Sequence, residues 1–386
     1  MIPYGLQSID EADIAAVVEV LRSEYLTQGP VVPLFENAVA QYVGAKFGVA
    51  VNSATSALHI ACMALGLKSG DILWTTPISF VASSNCALYC GAQVDFVDID
   101  PRTYNISIAS LEEKLVSASK IGKLPKIVIP VHLCGQAADM AAIFKLSQKY
   151  GFRIIEDASH AIGGKYAQEF IGGCTFSDIT VFSFHPVKII TTGEGGMCTT
   201  NNVKLAERMN LLRSHGITRD RELMKNPSDG PWYYEQIDLG FNYRMTEIQA
   251  ALGLSQMKRI DGFIARRTEI AINYSSALSA LPIVLPYQDL NTNSSFHLYV
   301  IRLKLNELNK SHKFIFEDLR SKGIGVNLHY IPIYRHPYYQ LMGFMYSNFP
   351  QAEQYYEEAI SIPVFSGMSD VQQLKVINTL EEVLSV

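Results

Sequence analysis

Lys188 lies in the run Val181-Phe182-Ser183-Phe184-His185-Pro186-Val187-Lys188-Ile189-Ile190-Thr191-Thr192-Gly193-Glu194-Gly195-Gly196-Met197, where apolar and aromatic residues deliver a single lysine into a Gly-rich turn. An amine held among apolar groups gives up its proton more readily than one in water, so this lysine is a candidate Schiff-base nucleophile. A second candidate is Asp157, in Ile154-Ile155-Glu156-Asp157-Ala158-Ser159-His160. It places a carboxylate at the C-terminal end of an apolar strand, where open α/β sheets bind ligands. An acid at a strand end and a lysine at a later turn suit pyridoxal phosphate. The carboxylate keeps the pyridine nitrogen protonated and the lysine bonds the aldehyde carbon. The bland alternative for the pair is a capping Asp and a surface Lys.

Other residue types fit the same chemistry. Thr55 and Ser56 stand at a predicted helix start, where free backbone N–H groups and the dipole favour a phosphate. Ser183 is a hydroxyl close to the lysine turn. Phe80, predicted to open a helix after Thr75-Thr76-Pro77, could stack on a pyridine ring. Taken singly, a hydroxyl at a helix start is an ordinary cap and an aromatic in an apolar helix is ordinary core.

These groups need a scaffold, and the chain's periodicity supplies one. Phe47 to Val51 reads as a strand, followed by a small polar turn and a helix to about Leu65, the way a phosphate site is built. Strands near Asp71 to Thr75, Gln93 to Val97, Lys126 to Pro130, Arg153 to Glu156, Val181 to Phe184 and Gly196 to Thr200 then alternate with helices at about Ser79 to Tyr89, Ser110 to Ala118 and Met140 to Tyr150. Alternation with apolar strands predicts an α/β fold whose mostly parallel, seven-stranded sheet is covered on both faces. Upstream, Ser8 with Glu11 reads as a capping box for a surface helix, and Val32 to Tyr42 as a second amphipathic helix. After Asn201 the pattern changes to long helices, Lys204 to His215 and Thr246 to Ser276, then to a smaller α+β region from about Pro282. The division this implies is residues 1–250 as a large cofactor-binding domain, and residues 251–386 as a connecting helix with a small C-terminal domain.

Composition sets the outer limits. The 386 residues are 48% hydrophobic and 18% charged with a net charge of −5, which gives no electrostatic case for nucleic acid or an anionic membrane. The N-terminus lacks the pattern of a signal peptide and no apolar run reaches the length of a bilayer span, so a cytoplasmic protein is expected. The six cysteines are scattered without C-x-x-C pairs, which predicts reduced thiols and no metal site.

The chain resembles the fold-type I aminotransferases, specifically the sugar-nucleotide aminotransferases of the DegT/DnrJ/EryC1/StrS group. The matching stretches, in order, include Gly29-Pro30, Asn52-Ser53-Ala54-Thr55-Ser56-Ala57-Leu58, Thr76-Pro77 with Phe80-Val81-Ala82, Asp98-Ile99-Asp100, Pro130-Val131-His132-Leu133-Cys134-Gly135 and Glu156-Asp157-Ala158-Ser159-His160. They continue through Phe182 to Lys188, Thr192-Gly193-Glu194-Gly195-Gly196, Gly240-Phe241-Asn242-Tyr243-Arg244-Met245 and His329-Tyr330. The resemblance implies that Lys188 is the cofactor lysine and proton shuttle, and that Asp157 partners the pyridine nitrogen. It further implies that Phe80 stacks on the ring, that His160 lies beside the cofactor, and that Ala54, Thr55 and Ser183 cradle the phosphate. Asn242 resembles the residue that a second subunit adds to the phosphate, which implies a homodimer with shared active sites. Some members replace the lysine by histidine and are sugar dehydratases; retention of Lys188 favours transamination.

Within the group, Met1-Ile2-Pro3-Tyr4-Gly5, Leu26-Thr27-Gln28-Gly29-Pro30 and Gly325 to Pro332 are similar to the aminotransferases of pseudaminic acid biosynthesis. This implies transfer of an amino group from L-glutamate to C4 of UDP-2-acetamido-2,6-dideoxy-β-L-arabino-hex-4-ulose. Tyr334-Arg335-His336 departs from that pattern and leaves a different 4-keto or 3-keto nucleotide sugar open. Tyr4, Tyr330, Tyr338, His185 and His329 are candidate substrate contacts, and Arg213, Arg244 or Lys165 could meet the diphosphate.

Overall fold

The computed structural model describes residues 1–385. Helices α1 (Glu11–Leu21) and α2 (Val31–Val43) precede β1 (Phe47–Val51), α3 (Ala54–Ala64), β2 (Ile72–Thr75), α4 (Ala82–Tyr89), β3 (Gln93–Phe96) and α5 (Ile108–Lys120). Next come β4 (Ile127–Ile129), α6 (Met140–Tyr150), β5 (Arg153–Asp157), β6 (Ile179–Ser183), β7 (Gly196–Thr200), α7 (Val203–Arg213), α8 (Glu247–Met257) and α9 (Ile260–Ala277). The seven strands form one sheet in the order β1-β7-β6-β5-β4-β2-β3. Only β7 runs against its neighbours; the remaining pairings are parallel.

Alternation along each strand divides the core. Leu73, Ile127, Ile129 and Ile155 point to the face covered by α3 and α4. Trp74, Val128 and Ile154 point to the other face and pack with Leu111 and Leu115 of α5 and Ile143 of α6. The inner strands are buried on both sides, which is why they read as apolar runs.

Two local expectations differ. The first helix is capped by Asp10, which accepts from the Asp13 N–H at 3.0 Å while Asp13 accepts from the Asp10 N–H at 3.2 Å, instead of by Ser8 and Glu11. The expected helix from Thr246 to Ser276 is two helices, broken at Arg259 (φ −116°). Both differences share a cause: the Arg259 guanidinium ion-pairs with Asp10 at 3.0 Å and with buried Asp13, so tertiary charge pairing sets the cap and the break together.

Beyond α9, strands Ile283–Val284, β8 (Tyr299–Leu303) and β9 (Ala359–Ile362) form an antiparallel sheet, with α10 (His312–Ser321) and α11 (Asp370–Leu384) packed on it. The N-terminal residues join this region: Ile2 exchanges backbone hydrogen bonds with Gly323 and Gly325, and Tyr4 O accepts from Val364 N–H. Among the described residues no helix is long and apolar enough to cross a membrane, and all six cysteines are free.

Candidate active site

The C-terminal ends of β1, β2, β5 and β6 open onto one cleft of about 580 Å³, closed on the far side by the Asn327 to Tyr330 segment and by Tyr4. That volume suits a cofactor-sized ligand with part of a second molecule.

At one corner, Ser53 caps α3 by accepting from the Ser56 N–H at 3.1 Å. The amides of Ala54 and Thr55 belong to the first turn, where no intrahelical acceptor exists, and both residues line the cleft. Ser183 ends β6 beside them. Gly196 starts β7 here because a Cβ would fall 2.5 Å from the Ala54 nitrogen; only glycine lets the strand approach the helix terminus so closely. Gly193, at φ +79°, supplies the left-handed turn that brings the chain back from Lys188.

Asp157 is buried at the end of β5. It accepts from the Ser83 hydroxyl at 2.6 Å and from the Ser159 N–H at 3.1 Å, and among the described residues it makes no ion pair. A buried carboxylate with hydroxyl and amide donors but no cation is the chemistry a protonated pyridine nitrogen requires, so the donor set fits pyridoxal phosphate. Lys188 reaches the same cleft from the turn after β6. Burial pulls its amine down to about 8, and the Asp157 charge opposes that shift only partly.

The opposite wall holds buried His160, His297 and His329, each held below the ordinary imidazole range first by burial and then by the Lys188 charge. His329, at about 3, bonds the Ser361 hydroxyl at 2.8 Å and lies 5.0 Å from the Tyr4 ring. His160 Nδ1 accepts from the Cys134 N–H at 3.3 Å, so in the neutral ring the proton sits on Nε2 and faces the Tyr330 hydroxyl at 3.0 Å. That leaves the Tyr330 O–H free to donate into the cleft. Phe80 lies in the turn before α4 instead of opening the helix; 59% exposed, its ring is 6.4 Å from that of Tyr330.

The structure therefore brings Lys188, Asp157, His160, Ala54, Thr55, Phe80, Ser183, Tyr4, His185, His329 and Tyr330 to one cleft. It leaves the other candidates outside. Asn242 is exposed, with its carbonyl 3.5 Å from the Asn52 amide, and does not line this chain's own cleft. Arg244 is bridged by its backbone to Val51, also off the lining. Arg213 is ion-paired with Glu36 and donates to Ala50 O at 2.6 Å, Lys165 lies over the Phe170 ring, and Tyr338 packs on Tyr339; none faces the cleft. Two functional neighbours carry no signal in the sequence: Ser83, the Asp157 donor, and His297, whose Nε2 is 3.5 Å from the Lys188 Nζ.

The model of the DegT/DnrJ/EryC1/StrS aminotransferase family matches residues 7–381. The chain is 39% identical over 373 residues to the UDP-4-amino-4,6-dideoxy-N-acetyl-beta-L-altrosamine transaminase of Campylobacter jejuni, covering 96% of this chain and 94% of that one. It is 37% identical over 386 residues to the spore coat polysaccharide biosynthesis protein SpsC of Bacillus subtilis, covering 99% of this chain and 97% of the other. Among solved structures, Helicobacter pylori PseC, an aminotransferase involved in the biosynthesis of pseudoaminic acid, superposes with a TM-score of 0.91 at 33% identity, covering 99% of both chains.

Proposed function

Because the chain belongs to the DegT/DnrJ/EryC1/StrS aminotransferase family, we propose that it transfers an amino group from L-glutamate to C4 of a UDP-linked 4-keto-6-deoxy-N-acetylhexosamine. The coarser statement is established by membership: the protein is a sugar aminotransferase that depends on pyridoxal phosphate. The finer reading takes the acceptor to be UDP-2-acetamido-2,6-dideoxy-β-L-arabino-hex-4-ulose, supported by the likeness to the Campylobacter transaminase and to PseC.

When bound, pyridoxal phosphate supplies an aldehyde and a protonated ring that accepts electrons. This chain's residues do the rest. Ala54, Thr55 and Ser183 hold the phosphate, and Asp157 keeps the ring nitrogen protonated, itself fixed by Ser83 and Ser159. Lys188, freed by the incoming donor, takes the proton from the donor's α-carbon and later returns one to C4 of the sugar. Phe80 covers the cleft, and Tyr330, with His160 behind it, offers a hydroxyl donor to the acceptor.

A second copy of the chain completes the site in this reading. Among the described residues no arginine lines the cleft, although a diphosphate and a donor carboxylate both call for cations. Asn242, exposed and outside its own cleft, would reach the partner's phosphate from a homodimer interface that we place in the cytoplasm.

The observation that carries the proposal is the Lys188 amine, its charge disfavoured by burial, in one cleft with a buried carboxylate that among the described residues makes no ion pair. Incubating the enzyme with glutamate and a panel of 4-keto and 3-keto nucleotide sugars, with the amine identified by NMR, tests the acceptor. The panel is needed because the SpsC relative is nearly as similar. Lys188→Ala should abolish turnover and the visible absorbance of the lysine-bound cofactor; retention of either removes the assignment. Release of ammonia with no amino sugar formed would point to a dehydratase.

A further inference from the structure

His297 comes from the loop that leads into β8 and places a ring against the lysine of the large sheet. It is 4% exposed, its ring centroid lies 4.4 Å from that of His160, and its Nε2 faces Lys188 Nζ at 3.5 Å. Its Nδ1 is buried and among the described residues has no hydrogen-bond partner. A buried imidazole costs stability unless its nitrogens are partnered, and an apolar side chain of similar size would fill the same space without that cost. Among the described residues the one hydrogen bond that the ring makes is with Lys188.

The backbone on both sides is pinned. Arg267, 1% exposed, donates to the carbonyls of Phe296 and His297 at 3.2 Å and of Val364 at 3.0 Å, and among the described residues it has no carboxylate partner. The Ser295 N–H donates to Gly135 O at 3.2 Å and its hydroxyl to His160 O at 3.0 Å. These bonds fix the backbone that carries the ring, and burial against His160 packs the ring itself. Burial first, and then the neighbouring charges, with Arg267 behind the ring, disfavour the imidazolium, so the ring is neutral where it meets the amine.

We propose that His297 is a positioning residue for Lys188: its Nε2 accepts an N–H of the neutral amine and aims the amine lone pair into the cleft. This rests on reading Lys188 as the cofactor lysine. The step served is bond formation with the cofactor aldehyde, in which the amine nitrogen bonds the carbon and the aldehyde oxygen leaves as water. When a donor displaces the lysine, the same contact holds the freed amine ready to move a proton.

The test uses the full-length protein stripped of cofactor. Wild type, His297→Leu and His297→Asn are mixed with pyridoxal phosphate, and the rate at which the visible band of the lysine-bound cofactor appears is recorded. Affinity for pyridoxamine phosphate, which has no aldehyde and makes no bond to lysine, is measured alongside. A positioning role predicts a band that appears roughly 10- to 100-fold more slowly in His297→Leu, partial recovery in His297→Asn, and unchanged pyridoxamine phosphate affinity. Equal rates in all three proteins overturn the inference, as does a parallel loss of pyridoxamine phosphate affinity, which would mark a role in folding the cleft. If wild type forms no visible band, the reading of Lys188 falls first and the inference falls with it.

Discussion

Burial holds the Lys188 amine near 8 against the opposing pull of Asp157, so the nucleophilic neutral form is already half populated at that pH. The sign follows directly: protonation silences the amine, so cofactor capture by the apoenzyme should fall as pH drops below about 8 and level off above it. Stopped-flow recording of the visible band should show a loss of about tenfold per pH unit on the acidic side. A rate still climbing above about pH 9 would return the lysine to its ordinary range. His160, His297 and His329 do not blur this profile, since burial holds all three well below it. Lys188 and Asp157 were legible in the sequence because their signals are local, an apolar run ending in a Gly-rich turn and a strand ending in an acid. His297 was not, because Ser294-Ser295-Phe296-His297 has no spacing that relates it to a lysine 109 positions away. Only the packing of the β8 loop on the sheet brings them together.

At the scale of elements, the strands were read to within a residue or two because the inner ones carry apolar residues on both faces and the edge strand β3 alternates Val94 and Phe96 with Gln93 and Asp95; β1 and β7 have the expected bounds. The helix break at Arg259 was invisible, since no Pro marks it, Gly253 and Gly262 both lie inside the resulting helices, and the residues that Arg259 pairs with, Asp10 and Asp13, lie at the other end of the chain. Asp98, noticed only as part of a motif, proves to bind two elements together. It accepts from the backbone N–H groups of Gln351 at 2.9 Å and Ala352 at 3.0 Å, capping the helix Pro350–Glu358 from the end of the sheet. The junction of β7 with α3 gives the sharper prediction. Gly196→Ala puts a methyl group 2.5 Å from the Ala54 nitrogen, where both sides are backbone and neither can yield cheaply. We expect a loss of about 1–3 kcal/mol in unfolding free energy, measured by urea denaturation of the apoprotein, together with weaker pyridoxamine phosphate binding. Unchanged binding with lowered stability would mean that the helix terminus does not hold the phosphate.

At the scale of the whole molecule, one chain brings Lys188, Asp157, Ala54, Thr55 and Ser183 to one cleft, but leaves Asn242 on its surface. If Asn242 serves the partner's cleft, Lys188 and Asn242 of one active site belong to different chains, and a mixture of two defective proteins can regain function. Lys188→Ala lacks its own nucleophile; Asn242→Ala impairs only the site across the interface. In a heterodimer of the two, one cleft collects both defects and the other collects neither. Unfolding and refolding an equal mixture should therefore restore about a quarter of wild-type sites, by random pairing in a two-fold dimer, read as transaminase activity above that of either variant refolded alone. If Asn242 acts on its own chain's cleft, every heterodimer carries one defect per site and the mixture gains nothing.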